Sequence, residues 1–190
     1  MKSMQWLAME LLLATAAAPA ALADTAAGRA DKPSPCSEEA FRAFDFWLGN
    51  WEVRTGDGKL AGYNRIESAE GGCVVLEHWT GVSGTTGMSM NYLDKTNDTW
   101  VQLWTGAEGS QVFIRGGPTE DGMLLEGRIH YVANGKTADF RGLWTVLTDG
   151  RVRQYFEESN DDGETWEPWF EGFYTRIQRI PGAAGVGDTT

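Results

Sequence analysis

Two cysteines and two histidines in 190 residues leave few ligands for a metal centre. A zinc site built from four Cys/His ligands would need all of them, at spacings that do not fit, so neither a metal nor a cofactor is expected. Cations are also scarce: 16 Lys+Arg stand against 27 Asp+Glu, a net charge of -11. Phosphate backbones and anionic membranes are held by clustered cations, so nucleic acid is excluded as a partner and an anionic lipid surface is a poor one. The one long apolar run, Trp6 to Ala18, carries Glu10 and is too short for a good membrane span. Between Leu48 and Thr175 no stretch is long and helically periodic, which removes the crossover helices that a parallel sheet requires.

The length suits one domain, and 42% hydrophobic residues suffice for a core. Lys2, the apolar run and Ala21-Leu22-Ala23 together form a secretory signal pattern with cleavage after Ala23. The expected organisation is a signal peptide over 1–23, a flexible arm over 24–35, one domain over 36–180 and a frayed Gly-rich tail over 181–190. Export to the periplasm or the extracellular space favours a disulfide between Cys36 and Cys73, two free buried thiols being the alternative.

Nine Trp and 24 Gly point to short strands joined by tight turns. Ser37 to Phe46 is predicted as one short helix, with Ser37 as its cap. Ten strands are predicted after it: Trp51–Thr55, Ala61–Ser68, Cys73–Thr80, Met88–Leu93, Thr99–Thr105, Ser110–Arg115, Met123–Val132, Thr137–Val146, Arg151–Glu158 and Trp166–Arg179. The breaks between them hold turn formers such as Asn134-Gly135 and Asp149-Gly150, which supply the positive φ of hairpin turns. About ten antiparallel strands in series predict an all-β, up-and-down barrel, because closure removes exposed edges. A two-sheet sandwich is the alternative.

Gly49-Asn50-Trp51 resembles the Gly-x-Trp mark of lipocalins and related calycin barrels. That resemblance implies that Trp51 plugs one barrel end and that Arg176, on the last strand, stacks on it. A wider set of segments runs from Phe44-Asp45-Phe46-Trp47-Leu48-Gly49-Asn50-Trp51 to Tyr174-x-Arg176. It includes Gly72-Cys73, Glu77, Trp79, Trp100-x-Gln102-x-Trp104 and Val152-Arg153-Gln154. Together these resemble a secreted, mostly bacterial lipocalin-like domain family that opens with an FDFWLG-x-W block. The resemblance covers Cys36 to about Arg179. It implies the barrel and export, strengthens the Cys36–Cys73 pairing, and carries no established activity. Ser159 to Trp166 fits the Asp-box form S-x-D-x-G-x-T-W; a single copy makes a hairpin turn, not a propeller.

Alternation assigns faces along each strand. Trp100, Gln102 and Trp104 share one side, as do Cys73, Val75, Glu77 and Trp79, and as do Val152, Gln154 and Phe156. Each set puts a polar group among large apolar ones, where it is either bonded within the fold or aimed at a ligand. The expected small-molecule site is therefore Glu77, Trp79, Trp100, Gln102, Trp104, Gln154 and Phe156, with Ser89, Asn91 and Arg141 as weaker candidates. A filled core whose polar groups satisfy one another is the competing expectation.

No catalytic residue is assigned, and the balance leans away from an enzyme. Glu77 with Glu157 or Glu158 is the one acid pair of glycosidase kind. Trp clusters also stack on sugars, so a glycan-binding protein is the rival, and a filled partner-binding domain a third reading. His78 and His130 are predicted on the outer surface, which disfavours haem. Oligomeric state is left open.

Overall fold

The computed structural model describes residues 34–182; the predicted signal peptide, residues 24–33 of the arm and residues 183–190 of the tail lie outside the described residues. The chain forms a closed barrel of ten antiparallel strands. They are β1 (Gly49–Arg54), β2 (Leu60–Ala69), β3 (Val74–Gly81), β4 (Thr86–Asp94), β5 (Thr99–Gly106), β6 (Ser110–Thr119), β7 (Gly122–Tyr131), β8 (Lys136–Val146), β9 (Val152–Ser159) and β10 (Glu167–Ile177). Each strand pairs with its sequence neighbours, and β1 closes the barrel on β10 with Trp51 opposite Arg176. Closure gives every strand a paired neighbour on each side, although the first half of β10, before Phe173, pairs with β9 alone.

Each strand expected from the sequence is present, but β6 runs further than its turn formers suggested. Gly116-Gly117-Pro118, expected as a break, continues the ladder opposite Leu125, Leu124 and Met123. A Cβ at Gly116 would lie 2.1 Å from the Leu124 carbonyl oxygen, so glycine here marks a close backbone approach and not a turn.

The short helical segment takes the 3-10 form, in two turns at Glu39–Arg42 and Asp45–Trp47. Ser37 is not its cap; Glu38 holds that position and makes no side-chain capping bond. Phe41, Phe44 and Trp47 recur every third residue, and three residues per turn put all three on one buried face.

That face plugs one end of the barrel. Phe44 stacks on Trp47 with ring centroids 5.1 Å apart and meets Trp144 and Trp100 edge-on at 5.2 and 5.6 Å. The Trp51 indole N–H donates to the Trp47 carbonyl (2.8 Å), and the Arg176 guanidinium lies 4.3 Å over the Trp51 ring while donating to Leu48 O (2.7 Å). Cys36 and Cys73 are disulfide-bonded, tying the plug segment to the β2–β3 connection. Apolar packing at this end is therefore continuous, and what remains hollow lies toward the opposite end.

Candidate functional site

Inward-facing side chains in the other half of the barrel surround a cavity of about 340 Å³. Its lining is Glu77 and Trp79 from β3, Gln102 and Trp104 from β5, Gln154 and Phe156 from β9, and residues contributed by other strands and loops. Six of the ten residues expected at a ligand site thus come together. Several of its aromatic rings lie close against glycines. A Cβ on Gly87 would fall 2.2 Å from the Trp104 ring, one on Gly142 2.2 Å from Phe156, and one on Gly62 2.8 Å from Trp79. At Gly87 and Gly142 a larger residue would meet the ring first; at Gly62 it would meet the Thr80 carbonyl oxygen, at 2.3 Å, before the Trp79 ring.

The floor is polar. Glu77 is buried at 4% exposure; its carboxylate accepts from Asn64 Nδ2 and Ser89 Oγ, both at 2.7 Å. Asn91 donates to Ser89 Oγ (2.9 Å) and to Val75 O (3.1 Å), which fixes its amide orientation. Gln102 Nε2 then donates to Asn91 Oδ1 (2.8 Å). On the other side, Asn64 Nδ2 reaches Tyr174 Oη at 3.4 Å, and the Tyr174 hydroxyl donates to Gln154 Oε1. The result is a belt of hydrogen bonds from β9 through β10, β2, β3 and β4 to β5.

Burial pushes the Glu77 carboxyl up to about 7, against the opposing pull of the Ser89 and Asn64 hydrogen bonds. Burial, and the neighbouring Glu77 charge, hold Tyr174 well above the ordinary phenol value, so it remains a donor. Three belt atoms lack a partner among the described residues: Asn64 Oδ1, which is fully enclosed, Gln102 Oε1 and Gln154 Nε2. The last two belong to residues of the cavity lining.

Four expected site residues sit elsewhere. Trp100 faces inward but lies at the plugged end, against Phe44, with its indole N–H on Ala40 O (3.3 Å). Ser89 and Asn91 are buried in the belt behind the lining, held by Glu77, Gln102 and backbone. Arg141 alternates with inward Phe140 and so points out, paired with Glu157 at 2.8 Å and stacked 4.1 Å over Trp166. The acid pair does not assemble either. Glu157 is taken by Arg141; Glu158 is bonded to Tyr131 and to Lys136 (2.8 Å), and neither lines the cavity with Glu77. Both histidines are on the outside, His78 with Glu67 (3.0 Å) and His130 with Thr137 (2.7 Å).

The lining also holds Thr85, Glu108, Val112, Phe140, Trp169, Phe170 and Tyr174, which sequence reasoning did not place there. Phe140 and Tyr174 follow from the same alternation applied to β8 and β10. Trp169 does not, because the β9–β10 register shifts between Pro168 and Phe170 and leaves it as the extra, bulged residue. The bulge brings its ring edge-on to Phe140 at 5.3 Å, and its indole N–H donates to Tyr131 Oη (2.9 Å).

The Asp-box turn sits beside that bulge. Asp161 accepts from Ser159 Oγ (2.8 Å), Thr165 N (2.8 Å) and Thr165 Oγ1 (2.5 Å), which holds its carboxyl down at about 2. It is a structural turn that fixes the start of β10 and hence the cavity mouth. Among the described residues no helix is long and apolar enough to cross a membrane. The chain matches no protein-family model and no curated protein.

Proposed function

We propose that this chain is a secreted lipocalin-like barrel that binds one small, mainly apolar molecule in the cavity and performs no chemistry on it. The observation that carries the reading is the cavity itself: about 340 Å³, walled by Trp79, Trp104, Phe140, Phe156, Trp169 and Phe170, with Glu77, Gln102, Gln154 and Tyr174 converging on its floor and Thr85 and Glu108 as its other polar lining. A volume of this order suits a single small molecule, and aromatic walls with few oriented polar atoms are what such sites require. The disulfide fits an oxidising compartment, periplasmic or extracellular. Three wall indoles make intrinsic fluorescence the natural probe. Titration with small neutral aromatics should quench or shift it saturably in the micromolar range. Val112→Trp, which fills the cavity from β6, should weaken binding at least tenfold while the far-ultraviolet circular dichroism stays that of the wild type. No saturable response to any small apolar compound would refute the reading.

A further inference from the structure

The cavity has an unbalanced charge. Among the described residues its lining carries two carboxylates, Glu77 on the floor and Glu108 toward the mouth, and no Lys, Arg or His. Nearby cations are committed elsewhere: Lys136 to Glu158, Arg141 to Glu157, and Arg153 to Glu171 at 2.7 Å. Glu77 is thus a buried carboxylate whose hydrogen-bond partners are all neutral. A carboxylate offers about four lone-pair sites, and the two protein bonds leave room for a further donor. Gln102, at 2% exposure, adds a second acceptor, since its Nε2 is bound to Asn91 and its Oε1 has no partner among the described residues.

Resting on the ligand-binding reading above, we propose that the occupant is a protonated amine on an aromatic or compact apolar frame, its ammonium bound by Glu77 and Gln102 Oε1. The surrounding indole and phenyl faces attract a cation through their quadrupoles, most strongly where water is excluded. The same field rejects carboxylate ligands such as fatty acids, because like charges brought together in a dry pocket cost more than the apolar contact returns. Gln154 Nε2, an amide donor of the belt with no partner among the described residues, suits a neutral acceptor elsewhere on such a molecule. Tyr174, the other titratable group facing Glu77, stays protonated and adds no competing charge. Because burial holds the Glu77 proton up to about 7, an ammonium entering below that pH displaces it to solvent. Amine affinity then rises with pH toward neutrality.

Three probes sharing one ring system separate the possibilities: 2-(1-naphthyl)ethylamine, 2-(1-naphthyl)ethanol and 1-naphthylacetate, titrated by calorimetry into the full chain. At pH 8 the amine should bind roughly tenfold or more tighter than the alcohol, and the carboxylate weakest. Amine affinity should fall by up to about tenfold per pH unit below 7, while alcohol affinity stays level. Glu77→Gln should remove both the preference and the pH dependence. The ranking and the pH profile are read on the unaltered protein, so they stand even if the variant misfolds. Equal or tighter binding of the alcohol or the carboxylate overturns the amine assignment and leaves the cavity reading intact. Binding of none of the three overturns both.

Discussion

Glu77, being buried, makes the stability of the barrel depend on pH near neutrality. Its ordinary carboxyl value is 4.5, and burial raises it to about 7 in the folded barrel. Between those values the folded chain keeps a proton that the unfolded chain has released. Folding then takes up a proton, and stability falls as pH rises through that window, levelling off above it. A shift of this size corresponds to roughly 3 kcal/mol. The carboxylates held low by their partners, among them Asp161, Asp57 and Asp149, act oppositely and in a different range: their contribution is lost as pH drops below about 4. The barrel should therefore be most stable near pH 5. Glu77→Gln removes the alkaline fall. The introduced amide also has partners within reach: its oxygen can keep the Asn64 Nδ2 bond and its Nε2 can donate to Ser89 Oγ, a hydroxyl that accepts as well as donates. Urea unfolding followed by Trp fluorescence should show the variant about 1–3 kcal/mol more stable than wild type at pH 8.5, with no such gain at pH 5. Wild-type stability that stays flat or climbs from pH 5 to 8, or a variant that keeps the wild-type slope, would refute the reasoning.

Replacing Cys36 and Cys73 together by Ala opens a link of sequence separation 37 and should cost roughly 4 kcal/mol, measured by the same unfolding curves without reductant. Trp51→Ala at the plug should cost about 3–5 kcal/mol because the cavity it leaves is walled by Trp47, Tyr174 and Arg176; Arg176→Ala, which loses the stacked cation, should cost about 1 kcal/mol. Gly87→Val places a branched side chain where the Trp104 ring now lies, so ligand affinity measured by calorimetry should drop at least tenfold while the strand itself keeps its propensity.

The fold was legible because its signals are local. Turn formers between short strands and period-two alternation need only neighbours in the chain, and they recover ten strands and their order. Alternation also assigns faces correctly for Glu77, Gln102, Trp104 and Gln154. It gives no depth along the barrel. Trp100 and Trp104 share a face four residues apart, yet one is packed under the plug and the other walls the cavity. Depth depends on where strands from distant parts of the chain meet, and that is set by register. Trp169 was invisible for a related reason: one extra residue in β10 reverses the face that counting would assign.

An abundance of Trp does not by itself distinguish a plug from a binding wall. At the closed end Trp47, Trp144 and Trp51 meet other aromatics, and edge-to-face contacts fill the space. At the open end Trp79 and Trp104 lie against Gly62 and Gly87, so the rings press on the wall and leave the axis free. The belt from Gln154 to Gln102 divides the two halves. A hydrophobic residue in place of Glu77 or Gln102 would let the packed core grow upward and close the hollow. A belt that places a buried carboxyl and the free Gln102 Oε1 and Gln154 Nε2 on the cavity lining is explained by an open floor facing a ligand better than by packing alone.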